Sequence, residues 1–159
     1  MATKNTNLSL FNKEEVPNAK GLTFGIVVSK WNTNITENLF KGAYETLIEC
    51  GVNTTDIRKY SVPWSYELVF GAKIAAKSKP NAIICLGSII KGETKHFDFV
   101  SNAVSNGIKD LNIELDIPVI FGVITDNTMD QAINRSGGKN GNKGIEAAIT
   151  AIEMAVLNS

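Results

Sequence analysis

One histidine and two cysteines in 159 residues leave little material for a metal centre. Cys50 and Cys85 are far apart and form no CxxC or other ligand-like spacing, so no bound metal is expected. Cys85 lies inside the apolar run Ala82 to Leu86, where a buried free thiol is the simplest expectation. Neither sign of charge dominates: Lys+Arg and Asp+Glu number 16 each. This balance removes the electrostatic ground for nucleic acid or an anionic membrane as partner, and any phosphate must be held locally by a few cations and backbone amides. The first twenty residues lack the apolar core of a signal peptide, and no apolar run reaches membrane-spanning length, so a cytoplasmic protein is expected.

What remains is the composition of a single α/β domain. Residues 1–20 are polar and read as an arm outside the core; residues 21–159 alternate strand and helix signals without a linker or repeat. Phe24 to Ser29 is a short β-branched run. Asn34 with Glu37 suggests a capping box for a helix carrying Ile35, Leu39, Ala43 and Leu47, stopped by Gly51. Ile57 to Val62 reads as a second strand. Ser65 is expected to cap a helix with Leu68, Ala72 and Ala75 on one face, ended before Pro80. Ala82 to Ile90 is the strongest strand, and Val100, Val104, Ile108, Leu111 and Leu115 mark the helix after it. Pro118 to Thr125 gives a fourth strand, Thr128 to Asn134 a short helix, and Ile145, Ile149, Ile152 and Val156 the apolar face of a last helix beyond a glycine-rich turn. Strands apolar on both faces, separated by helices, predict a parallel sheet covered on both sides. The expected fold is a flavodoxin-like three-layer α/β/α sandwich with a four-stranded parallel sheet.

In such sheets ligands bind beyond the carboxyl ends of the strands. Those ends read Lys30-Trp31-Asn32, Pro63 to Glu67, Lys91 to His96 and Thr125-Asp126, a concentration of polar and aromatic residues greater than a core requires. Gly92-Glu93-Thr94 opens a helix, where free backbone N–H groups attract anions; the same residues also suit an ordinary loop with a threonine cap. His96 is the only histidine, and an imidazole, with an unperturbed pKa of about 6.5, moves protons at neutral pH. A histidine in a first helical turn is also a common surface residue. Arg135 to Gly144 packs four glycines and three cations into ten residues. It matches neither GxxxxGK[ST] nor GxGxxG, so it stands between a phosphate loop and a tight turn. Trp31 suits stacking on a flat heterocycle or covering the sheet edge; Glu67 suits hydroxyl recognition or the helix dipole.

Taken in order, Trp31-Asn32 with Ile35-Thr36, Ser65-Tyr66-Glu67, Gly92 to Asp98, Phe121-Gly122-Val123, Arg135 to Gly138 and Gly141-Asn142-Lys143-Gly144 resemble the lumazine synthase family over about residues 21–157. The resemblance implies a transferase of riboflavin biosynthesis. It would condense 5-amino-6-(D-ribitylamino)uracil with 3,4-dihydroxy-2-butanone 4-phosphate to 6,7-dimethyl-8-ribityllumazine, with phosphate and water released and no cofactor. It also implies roles: Trp31 and Asn32 at the pyrimidine ring; Ser65, Tyr66, Glu67 and Ser88, Ile89, Ile90 around the ring and ribityl chain; Phe121 reaching the site from a neighbouring subunit. Gly92, Glu93, Thr94, Arg135 and Lys143 would hold the phosphate-bearing substrate, and His96 would transfer protons. Pentamers, a sixty-chain icosahedral shell, an arm that adds a strand to a neighbour's sheet, and riboflavin synthase as a partner are further implications. The chain departs from the family pattern at Trp64, where glycine is usual, and at Lys91 and Lys95. A tryptophan at 64 would reshape or occlude the ribityl pocket, which leaves a non-catalytic flavin- or lumazine-binding shell as an alternative. A flavodoxin-like phosphate-ligand sensor is a more remote one.

Overall fold

The computed structural model describes Asn7 and residues 9–159. Expectations for the first residues of the arm lie outside them. Four parallel strands, β1 (Phe24–Ser29), β2 (Ile57–Val62), β3 (Ala82–Ile90) and β4 (Val119–Asp126), form one sheet in the order β2-β1-β3-β4. Side chains alternate across a strand, and each face of this sheet has its own core. Phe24, Ile26, Val28, Ile84, Leu86, Ile120 and Ile124 pack with α1 (Thr33–Glu49) and α5 (Lys143–Leu157). Val27, Ile83, Cys85, Ile89 and Val123 pack with α2 (Leu68–Ala76) and α3 (His96–Glu114). The three-layer sandwich read from the sequence is the observed fold.

Three local expectations are corrected. No capping box forms at Asn34. Helix α1 starts earlier, behind Asn32, which adopts a left-handed conformation (φ 57°) and accepts the Ile35 and Thr36 N–H groups on its carbonyl. Asparagine tolerates this region better than most residues. Glu37 instead pairs with Lys59 of β2 at 2.7 Å. Ser65 does not cap α2 with its hydroxyl; its carbonyl accepts the Leu68 N–H. The buried face of α5 is alanine-rich rather than isoleucine-rich: Ala147, Ala148, Ala151, Ile152 and Ala155 are buried, whereas Val156 is exposed. Small side chains let α5 approach α1 and the sheet closely. The stop at Gly51 holds, with φ at +102°, and Thr128 accepts the Gln131 N–H as the cap of α4 (Met129–Arg135).

The glycine-rich segment is a small antiparallel hairpin, β5 (Ser136–Gly138) with β6 (Gly141–Asn142), and its pattern has a packing cause. The Asn142 side chain accepts the Gly144 N–H at 2.8 Å, capping α5, and donates to the Asn38 carbonyl of α1 at 2.9 Å. A Cβ on Gly144 would collide with the Leu39 carbonyl oxygen. A tight turn therefore accounts for Gly144 by packing and for Gly137 and Gly141 by their positive φ. Gly144→Ala is expected to lower stability by about 3 kcal/mol or more, because backbone must move. Asn142→Ala should cost about 1–2 kcal/mol through the lost cap. Urea unfolding of both variants measures this order.

Candidate active site

The winding of the sheet reverses between β1 and β3, and a crevice opens where the two strands end. It holds a cavity of about 640 Å³ lined by Trp31, Trp64, Ser65, Tyr66, Glu67, Ser88, Ile89, Ile90, Gly92, Thr94 and His96, with Phe97, Phe99, Val100 and Ala103 from the first turns of α3. Three separate stretches of sequence thus meet in one hollow. Lys30 donates its N–H to the Val62 carbonyl at 2.8 Å, tying the loop after β1 to the loop after β2. The Asn32 side chain reaches the Ser88 carbonyl at 3.4 Å and does not line the cavity.

Three polar side-chain atoms of residues lining this hollow lack partners among the described residues. Ser65 Oγ, Glu67 Oε2 and Ser88 Oγ are buried without a hydrogen bond among the described residues. An unsatisfied buried polar group costs about 1–3 kcal/mol, so three of them on residues lining one cavity are groups that a ligand or water could pair with after a small side-chain rotation. Above them, no backbone hydrogen bond is donated from Gly92, Glu93, Thr94 or Lys95 among the described residues. The Thr94 hydroxyl accepts the His96 N–H at 3.3 Å, which leaves its own proton free to donate. This arrangement presents donors to an anion at the mouth of α3. His96 is exposed on the same rim.

Trp64 adopts no left-handed backbone conformation, so glycine is not required there for φ. Its ring lies on Trp31, with centroids 4.1 Å apart and planes inclined by 29°. Both indoles are half-exposed and line the cavity.

Other expected site residues lie elsewhere on the protomer. Glu93 is exposed and does not line the cavity. Phe121 stands midway along the edge strand β4, opposite Cys85 and three positions short of the Ser88 pair. Arg135 and Lys143 form a second cluster around Glu146, which periodicity alone does not single out. Arg135 Nη1 lies 3.0 Å from Glu146 Oε1 and Lys143 Nζ 2.9 Å from Oε2. Burial pushes the Glu146 carboxyl up, but the hydrogen bond and charge of Lys143, with those of Arg135, outweigh it and hold the group below its ordinary range. Asp126, at the end of β4, is raised by burial, against the opposing charge of Arg135, and its Oδ2 has no partner among the described residues. The expected buried thiol is present: burial pushes Cys85 up to about 12.

The sequence profile of the 6,7-dimethyl-8-ribityllumazine synthase family matches residues 21–159. Proteins of that name from Flavobacterium johnsoniae, Christiangramia forsetii and Flavobacterium psychrophilum are 56%, 55% and 54% identical to this chain. Each alignment covers 99% of this chain, and 83%, 95% and 84% of the respective relative.

The lowered Glu146 carboxyl makes stability depend on pH with a definite sign. Its contribution is complete above the unfolded carboxylate value, about 4.3, and is lost as pH falls through the lower folded value. Glu146→Gln is expected to cost about 2 kcal/mol at pH 7. Denaturation series at pH 7 and at about pH 3 should show that gap narrowing in acid.

Proposed function

The chain belongs to the 6,7-dimethyl-8-ribityllumazine synthase family, and from that premise we propose that it makes this lumazine from 5-amino-6-(D-ribitylamino)uracil and 3,4-dihydroxy-2-butanone 4-phosphate. The observation that carries the proposal is the crevice itself. One hollow combines an indole face for a flat ring, three unpartnered buried polar groups for a polyol, amide donors for an anion and an imidazole on the rim.

The chemistry follows from these groups. The amine adds to the ketone, phosphate leaves by elimination, the product tautomerises, and the ring closes with loss of water. Each step relocates a proton, the task of His96. Trp31, with Tyr66 and Ile89-Ile90, accommodates the ring; Ser65, Glu67 and Ser88 bind the ribityl hydroxyls. Gly92, Glu93 and Thr94 take the phosphate together with Arg135 and Lys143. Arg135 binds in a bidentate manner that lysine cannot match. Much of the acceleration comes from holding two reactants in one place.

Arg135, Lys143 and Phe121 lie outside the protomer's own cavity, so the complete site draws them from an adjacent copy. Support comes from two exposed apolar surfaces: Phe70 and Phe99 beside the crevice, and Phe121, Met129 and Ile133 along the β4 side. Two unlike surfaces suit a head-to-tail ring, here a pentamer and, through twelve of them, a shell of sixty. Residues 21–159 make up the domain; the described part of the N-terminal arm lies on its own chain, where Ser9 Oγ accepts the Asn142 N–H and Phe11, Val16 and Ala19 pack against the α1–α5 core. A cytoplasmic location and riboflavin synthase as a partner belong to the same reading; among the described residues no helix is long and apolar enough to cross a membrane. One observation favours a second reading, a binding shell without catalysis: the Trp64 ring already covers part of Trp31.

Mixing both substrates with the protein should produce the fluorescence of the lumazine; its absence, with ligand binding intact, moves the conclusion to the binding shell. His96→Ala should slow turnover about a hundredfold without abolishing it. Complete loss with unimpaired substrate binding would contradict the division of labour between proximity and proton transfer. Light scattering of the purified protein should report a pentamer or its sixty-chain multiple, and a monomer would refute the shared site.

A further inference from the structure

The two indoles over the crevice are not equivalent. Trp31 is held from both sides: Lys30 donates its N–H to the Val62 carbonyl, and Asn32 accepts two helix N–H groups while its amide reaches Ser88. Trp64 stands between Pro63, which has no N–H, and Ser65, whose hydroxyl has no partner among the described residues. After Val62, the next backbone bond in this loop is the one between Leu68 and Ser65. The backbone around Trp31 is anchored by hydrogen bonds on both sides, and the backbone around Trp64 is not, among the described residues.

The stack is also closed. Its centroid separation of 4.1 Å is that of two rings in contact, and a third ring between them would demand roughly twice as much. The unpartnered groups that would orient a ligand, on Ser65 and Glu67, belong to the Trp64 loop. Trp31, Trp64, Ser65, Glu67 and Ser88 line one and the same cavity, so a ligand held there meets the Trp31–Trp64 stack directly.

We propose that Trp64 is a specificity-determining gate: a flat heterocycle gains the face of Trp31 only by displacing the Trp64 indole, so the self-stack sets a threshold against weakly stacking rings. The inference rests on the reading of this crevice as a heterocycle site. When one stacking partner replaces another, the Trp31 face stays covered throughout, and the threshold is set by the work of freeing the Trp64 indole. A single pyrimidine ring meets the threshold only when its ribityl chain adds hydrogen bonds in the same crevice, so bare rings of that size do not.

The test uses wild type, Trp64→Ala, Trp64→Phe and Trp31→Ala, with a ribityl-bearing uracil that lacks the reactive 5-amino group as an inert probe. Closely stacked indoles couple their electronic transitions, giving a paired circular-dichroism band. That band should be present in wild type, absent in both alanine variants, and lost from wild type as the probe saturates. Trp64→Ala should bind the probe about three- to tenfold tighter, with Trp64→Phe in between. The KM for the aminouracil should fall by a similar factor, with the KM for the sugar phosphate unmoved. Trp31→Ala should bind the probe more weakly than wild type. Persistence of the coupled band at saturation, or binding by Trp64→Ala that is equal to or weaker than wild type, overturns the gate. No binding by any form overturns it together with the heterocycle site. Wild type that binds the probe and loses the band, but makes no product, sinks the enzymatic reading and still supports the gate. The band change in wild type is decisive even if Trp64→Ala does not fold.

Discussion

The reversal of winding between β1 and β3 is the constraint on which the rest of the molecule depends. These strands are neighbours in the sheet, yet the chain leaves β1 toward the α1 face and β3 toward the α3 face. No helix can then cover the gap above their carboxyl ends, and the loops there face a space that the core cannot fill. Everything chemical in the crevice follows: the tryptophan after β1, the buried polar groups of the loop after β2, the end of β3 and the start of α3 are brought together by topology.

On the other side of β4 a second arrangement obeys a different rule. Arg135, Lys143 and Glu146 form a compact, largely desolvated charge cluster at the junction of α4 and α5. Its position is fixed by the hairpin between these helices and by Asn142, which fastens the start of α5 to α1. Pairing both cations with the one carboxylate makes burial of Glu146 tolerable, and the carboxylate holds the guanidinium in a fixed orientation. The chain thus carries an aromatic-lined hollow with unpartnered polar groups and a separate charge cluster.

Much of the fold was legible because hydrophobic period and strand length are local properties. Phe24 to Ser29 and Ala82 to Ile90 appear with the boundaries expected, and β4 is displaced by one residue. Errors arose where packing overrides pattern. The isoleucines of α5 draw the eye, but of the four apolar positions read there only Ile152 is fully buried, and the rest of the packed face is alanine, which suits the closeness of α1. Asn34 and Glu37 satisfy a capping pattern that Asn32 pre-empts with its backbone, and Glu37 is taken by Lys59. The location of the crevice was legible from the strand-end rule, and so were Trp31, Ser65, Glu67 and His96. The direction of the Trp64 ring was not, because no periodicity governs a bend after proline. Nor was Glu146, whose meaning lies in the two cations it faces rather than in its own position.

The two cysteines carry a practical consequence. Cys85 is sealed beneath the α2–α3 layer, Cys50 is buried at the end of α1, and burial raises both thiols away from the reactive thiolate form. The native chain is therefore nearly silent toward maleimides and other thiol-directed reagents while it stays folded. A cysteine placed at an exposed position would be its single addressable handle, so a dye, spin label or cargo could be attached at one chosen point of the chain without first removing the natural pair.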